Sequence, residues 1–257
     1  MYQMVKKMAT KTIGWLATTK LLQGPRKKFK KVLFDVMYAK YGQLIFVNSM
    51  VDIKAIYNPE ILVVKDLVKK IKSETNMLLF DVETFQLSRA VTQTSKIKGE
   101  IAEVGVFRGG SAKLICEAKG NKKLHLFDTF EGLPPLSAAD NINQFHEKQF
   151  SSSFDEVKNY LKDYSNVYFY KGLFPATAAP IANERFSFVH IDVDLYVATL
   201  DCLQFFYPRM NKGAILISHD YVIAPGVRKA FDEFFADKPE PIIEIEISGS
   251  QCLVVKT

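Results

Sequence analysis

The segment Gly99-Glu-Ile-Ala-Glu-Val-Gly-Val-Phe-Arg-Gly-Gly-Ser-Ala112 constrains this chain more than any other. Ile101, Val104 and Val106 read as a buried strand interrupted by Glu103. Gly105, Gly109 and Gly110 surround a turn, and Ser111-Ala-Lys-Leu-Ile-Cys-Glu-Ala118 begins like a helix. A glycine-rich strand-to-helix turn lets a ligand reach bare backbone and the free amides of a helix N-terminus. Taken alone, such a turn is equally a tight connection with no ligand. A carboxylate at the end of a buried strand is costly unless a cation or a hydrogen-bond donor meets it. Phosphate-binding loops place amides and often a lysine there. An acid suits a cofactor with an amino group and no phosphate, and S-adenosylmethionine meets that description.

A second acid follows at a telling distance. Lys123-Leu-His-Leu-Phe-Asp128 is a short apolar strand ending 25 positions after Glu103. In dinucleotide folds an acid about 20 residues beyond the glycine turn accepts from ribose hydroxyls. The turn and the second acid point to Glu103, Gly105 and Asp128 as cofactor contacts; the full expected set adds Phe107, Gly109, Ser111, Thr129, Gly172 and Asp192, as the family resemblance described below implies.

From Gly99 onward strand-like and helix-like segments alternate. Strands are expected at 100–106, 123–129, 167–171, 186–193, 214–218, 242–247 and 252–256, and helices at 111–119, 153–164, 195–210 and 226–236. Such alternation implies βαβ units around a mostly parallel, doubly wound sheet. Only Ser248-Gly-Ser-Gln251 joins the last two strands. That is too short for a helical crossover, so the pair must be an antiparallel hairpin. The expected fold class is thus α/β: a Rossmann-like, seven-stranded, mostly parallel sheet with an antiparallel C-terminal hairpin and helices on both faces, as in class I methyltransferases. Upstream, helix-like stretches at 58–73 and 83–94 read as a helical cap. The loop from Glu131 to about Ser152 is long enough to be a lid.

Charge is unevenly distributed. The net charge is +6, yet residues 1–31 carry nine lysines and arginines and no acid. The remaining chain is slightly acidic, which argues against a nucleic-acid groove across the main domain. The basic segment, with Arg26-Lys-Lys-Phe-Lys-Lys31 after Ile13-Gly-Trp-Leu-Ala17, can rest on an anionic membrane surface, pack on a partner subunit in a homo-oligomer, or remain a solvated arm. Lys20 breaks the apolar stretch, and no clear cleavage site follows, so a secretory signal is not expected. Cys116, Cys202 and Cys252 are odd in number, far apart and in apolar contexts, which suits buried free thiols in a reducing cytoplasm.

The chemistry concentrates at two further strand ends. Val189-His-Ile-Asp-Val-Asp-Leu-Tyr196 closes one strand with two acids, and Leu216-Ile-Ser-His-Asp-Tyr221 closes the next with His219 and Asp220. Ligands of open α/β sheets bind outside the carboxyl ends of strands, so these groups should converge on the glycine turn. Asp192, His219 and Asp220 could hold a divalent cation that lowers the pKa of a bound hydroxyl. Asp194, just before Leu195, is placed to cap a helix. His146 and Glu147 on the lid are candidate bases, together with Asp192. His125 and His190 read as core histidines.

Glu103-Val-Gly-Val-Phe-Arg-Gly-Gly-Ser111, Phe127-Asp-Thr-Phe-Glu-Gly-Leu-Pro-Pro135, Asp192-Val-Asp-Leu-Tyr196 with Thr199 and Tyr207-Pro208, and His219-Asp-Tyr221 with Pro225-Gly226 occur in one order. From about Glu83 to the C-terminus the chain resembles the macrocin O-methyltransferase family. The resemblance implies a domain over residues 81–257 that methylates a sugar hydroxyl of a small-molecule or glycan substrate with S-adenosylmethionine, preceded by a basic extension and cap over 1–80. It further implies that the methionine end of the cofactor lies near Glu103 and Gly105, the ribose on Asp128, and a metal, magnesium by the family pattern, on Asp192, His219 and Asp220. The family commonly carries a second Asp where this chain has His219. Imidazole suits zinc, iron or nickel better than magnesium. A nucleotide-dependent oxidoreductase and a binding protein without chemistry are the alternative readings; the turn lacks Gly-x-Gly-x-x-Gly spacing, which disfavours the first.

Overall fold

A computed structural model describes residues 60–245 and 249–257. The basic segment 1–31 therefore lies outside the described residues, as do positions 246 and 247 of the strand expected at 242–247.

The first two helices are α1, Glu60–Glu74, and α2, Asp81–Gln93. In α1, Val64, Leu67, Val68 and Ile71 recur at helical spacing and form its packed face. Then come β1, Glu100–Val104; α3, Gly110–Ala118; β2, Leu124–Asp128; α4, Phe154–Tyr160; and β3, Val167–Lys171. The second half comprises β4, Phe186–Ile191; α5, Tyr196–Phe206; β5, Met210–Ser218; α6, Pro225–Phe235; β6, Ile243–Glu244; and β7, Cys252–Val255.

These strands form one seven-stranded sheet in the order β3-β2-β1-β4-β5-β7-β6. β1 to β5 pair in parallel, while β7 runs antiparallel to both β5 and β6. The expected fold class and its closing hairpin are both present. Helix α5 is shorter than expected because Tyr207-Pro208-Arg209 tightens into a 3-10 turn, after which Met210 already pairs with Phe186. The register then shifts between Phe186 and Phe188, accommodating the stretch before Ile215.

Each strand alternates its side chains between two cores. Ala102, Val104, Val189 and Ile191 face Cys202, Leu203 and Phe206 of α5 and Val227 and Phe231 of α6. Ile101, Leu124, Leu126 and Phe188 face the other way, against Leu87 and Val91 of α2 and Leu114 and Ile115 of α3. Val68 and Ile71 belong to this second core, so α1 shares the core of the domain expected to begin at residue 81. The three cysteines are free and buried, as expected. No helix among the described residues is long and apolar enough to cross a membrane.

Candidate active site

The sheet order reverses between β1 and β4, and the residues following these two strands meet there. A Cβ on Gly105, whose φ is +90°, would lie 1.7 Å from the carbonyl oxygen of Asp192, so only glycine allows this approach. The contact opens a cavity of about 400 Å³ at the carboxyl ends of the strands, within the size range of small-molecule sites. Gly105, Phe107, Ser111, Asp128, Thr129, Gly172 and Asp192 line it, together with His219 and Asp220. Four cavity residues that are not glycine, Phe107, Phe150, Asp194 and Asp220, hold positive φ between 49° and 63°. Left-handed backbone costs an ordinary residue roughly 1–2 kcal/mol, so its clustering marks a place where geometry overrides local preference.

Asp128 organises the glycine turn. Its Oδ2 accepts from the amides of Val106 at 2.7 Å and Phe107 at 2.8 Å, and its Oδ1 accepts from Phe130 N–H at 2.7 Å. Burial raises the pKa of this carboxyl, and those three amides oppose the shift. Thr129 Oγ1 donates to Gly132 O and accepts from Glu131 N–H, shaping the start of the long loop.

Two of the residues expected at the cofactor stand outside the cavity lining. Glu103 is fully buried and does not line the cavity. Strand alternation turns it toward the α2–α3 side, where its Oε1 meets His190 Nδ1 at 2.9 Å across the paired strands. Burial pushes its carboxyl upward despite His190, and Oε2 has no partner. Gly109 faces away as well: a Cβ there would touch Val157 Cγ1 at 3.2 Å, because the turn backs onto α4.

The two lid candidates face outward. His146 and Glu147 are exposed and do not line the cavity, and His146 Nδ1 lies 3.0 Å from Glu147 O. The loop turns two of its aromatic rings inward instead: Phe145 is buried, and the partly buried Phe150 packs edge-on against Phe107. Packing these two rings inward leaves the polar pair between them facing solvent.

On the opposite wall the three acid- and imidazole-bearing residues converge as expected. One ligand atom from each of Asp192, His219 and Asp220 lies within 4.8 Å of the others. His219 Nδ1 is 2.9 Å from Asp220 Oδ1 and 3.4 Å from Asp192 Oδ1, but it is aligned for a hydrogen bond with neither. A buried nitrogen aimed between two carboxylates fits a cation, and the mixed nitrogen–oxygen set fits a borderline metal better than magnesium. Burial alone would depress His219, yet Asp192, Asp220 and Glu83 together raise its pKa well above the usual range.

One participant was not identified from the sequence, and another has a different place from the one expected. Glu83 on α2 is fully buried; its Oε2 lies 3.2 Å from His219 Nε2 and accepts from Phe80 N–H, while its Oε1 accepts from Ser250 N–H at 2.8 Å. Glu83 is 136 positions from His219, and no local pattern links them. Asp194 does not cap α5, correcting that expectation. With φ at 61° it stands among the acids of the cluster, and burial together with the Asp220 and Asp192 charges pushes its carboxyl well above the usual range.

A nucleoside-sized cavity at the β1–β4 switch, walled by a glycine turn and a carboxylate–imidazole cluster, on a seven-stranded sheet ending in an antiparallel hairpin, defines the class I methyltransferase fold. Within that class, the family signature of macrocin-O-methyltransferase (TylF) matches residues 82–251, and this chain belongs to that family. Among its relatives is mycinamicin III 3''-O-methyltransferase of Micromonospora griseorubida, 31% identical over 173 residues, covering 60% of this chain and 67% of that protein. Another is 8-demethyl-8-(2,3-dimethoxy-alpha-L-rhamnosyl)-tetracenomycin-C 4'-O-methyltransferase of Streptomyces olivaceus, 28% identical over 170 residues, covering 60% of this chain and 65% of that protein. The chain thus spans about two thirds of the length of these relatives. The solved structure of the O-methyltransferase NovP is similar, with a TM-score of 0.61 and 26% identity over 69% of this chain and 80% of that one.

Proposed function

We propose that this protein transfers the methyl group of S-adenosylmethionine to a sugar hydroxyl of a glycosylated small molecule. The observation that carries this reading is the single cavity in which the turn held by Asp128 faces the Asp192, His219 and Asp220 cluster. Two relatives are named as O-methyltransferases, and one of those names contains a rhamnosyl group. Leu78, Phe80, Leu173 and Ile223 line the same cavity while about half exposed, an apolar rim that suits an acceptor whose sugar is attached to an apolar body.

In this reading the turn 105–107 and Asp128 seat the nucleoside, and the first amides of α3 face the methionine carboxylate. The acceptor hydroxyl lies against Asp192, which takes its proton as the oxygen bonds to the methyl carbon and the carbon–sulfur bond breaks. Phe145 and Phe150 exclude water while the two substrates are aligned, the main source of rate in a direct displacement. Asp192, His219 and Asp220 would hold a divalent cation. Such an ion, when bound, would orient and acidify the hydroxyl. A cytoplasmic setting and a homo-oligomeric or membrane-surface role for residues 1–31 belong to the same proposal.

Calorimetry with S-adenosylmethionine, S-adenosylhomocysteine and NAD tests the cofactor. Transfer of labelled methyl to a panel of glycosides tests the reaction, before and after exhaustive chelation and with magnesium, manganese, nickel or zinc restored. NAD binding without S-adenosylmethionine binding would overturn the reading. Full activity in chelator would remove the metal from it.

A further inference from the structure

We propose that Asp140 is a positioning residue, a latch that fastens the loop over the cavity to the turn bearing Asp192 and Asp194. The proposal rests on the methyl-transfer reading only for its kinetic consequence.

Helix α5 begins at Tyr196, and the residue before it, Leu195, offers no side-chain acceptor. The missing cap arrives from the loop: Tyr196 N–H donates to Asp140 Oδ1 at 2.7 Å. The other oxygen, Oδ2, accepts from Ser137 N–H at 2.8 Å and Ser137 Oγ–H at 2.7 Å. One carboxylate thus joins the loop backbone to the positive end of α5. Gly226 at the start of α6 makes room for it. A Cβ there would lie 2.3 Å from Asp140 Oδ1 and 3.1 Å from Tyr196 N.

Both sides of this joint reach the cavity. Gln144, Phe145, Gln149 and Phe150 follow Asp140 along the loop and line it, while Asp192, Val193 and Asp194 precede Tyr196 and line it too. The far end of the loop is tied independently, because Leu133 and Lys148 exchange backbone bonds with Gln149 and Leu133, and Ser152 Oγ–H donates to Phe107 O at 2.6 Å. Asp140 is therefore the fastening at the acceptor side. Seating the loop and fixing the Asp192 turn become one event, and an acceptor that holds the loop down also holds that turn in place.

The test compares Asp140→Ala, Asp140→Asn, Gly226→Ala and the Asp140→Ala/Gly226→Ala double variant with the parent. Hydrogen exchange is followed over residues 137–150 and 195–199, with S-adenosylhomocysteine affinity and acceptor kinetics measured alongside. Faster exchange in both segments is expected for Asp140→Ala and Gly226→Ala, with Asp140→Asn between them and the parent, since an amide retains one acceptor oxygen. The double variant should be no worse than Asp140→Ala, because the added methyl acts mainly against the carboxylate. Acceptor KM should rise about tenfold, the size of a lost helix cap, with S-adenosylhomocysteine affinity unchanged. Unchanged exchange in Asp140→Ala, or a Gly226→Ala effect of the same size with and without Asp140, would overturn the latch. If the parent methylates no acceptor, the functional reading fails by itself, and exchange and non-additivity still decide the latch.

Discussion

At the scale of single residues, the two acids that the sequence placed together around the cofactor have separate tasks. Asp128 holds three backbone amides of the glycine turn and the loop after β2. Asp128→Ala should destabilise the protein by about 2–4 kcal/mol, the cost of orphaning amides that met a charged acceptor, and should weaken S-adenosylhomocysteine binding as the turn loosens. Glu103 instead lies behind the turn, paired with His190. Glu103→Gln should therefore leave that affinity unchanged while lowering stability. Urea unfolding and calorimetry on both variants check the division, and equal affinity losses would refute it.

Among the elements, the end of β7 is held to β5 by backbone bonds between Lys256 and residues 213 and 214, and from the side by the carboxylate of Glu240. Glu240 accepts from Lys256 Nζ at 2.7 Å and Tyr207 Oη at 2.7 Å, and also from Thr257. Burial would raise its pKa, but these donors, Lys256 foremost, hold it down to about 2. A folded-state pKa below the unfolded value gives stability that is fully present above the unfolded pKa and disappears as pH falls through the folded one. The window here runs from about pH 4.5 down to about 2. Over it the parent should lose roughly 1–3 kcal/mol more than Glu240→Gln, discounted for solvent near the strand end. Urea midpoints of both proteins at about pH 6, 4 and 2, chosen to span this titration, read the difference. Parallel lines would show that Glu240 adds nothing.

For the whole molecule, binding at the β1–β4 switch should appear as linked stability. Saturating S-adenosylhomocysteine at about one hundred times its Kd adds about 2.7 kcal/mol to the native state. For a chain of this size that corresponds to a rise in Tm of roughly 5–10 °C. Calorimetric scans with and without ligand measure it, and no shift would count against the site. Deleting residues 1–31 removes nine positive charges. The truncated protein should keep its S-adenosylhomocysteine affinity while changing oligomeric state or binding to anionic vesicles. A folded truncation that no longer binds the ligand would refute this assignment.

Local sequence determined the sheet, because the information for it lies within a few residues. Alternating apolar runs at 124–128 and 186–191, the short link before Cys252, and glycines where backbone must pass close to backbone each act over one element and its turn. The convergence of Asp192, His219 and Asp220 was legible for the same reason, since strand ends in a parallel sheet share one edge. Tertiary packing alone decided the rest. Which side of the loop faces inward depended on Phe145 and Phe150 finding apolar neighbours, and that left His146 and Glu147 in solvent. Glu83 reaches His219 and Ser250 only because α2 packs beside the end of β5, and Asp140 caps α5 only because Gly226 leaves room. Contacts between side chains more than fifty positions apart leave no periodic trace in a single chain, so they are set when the cores close.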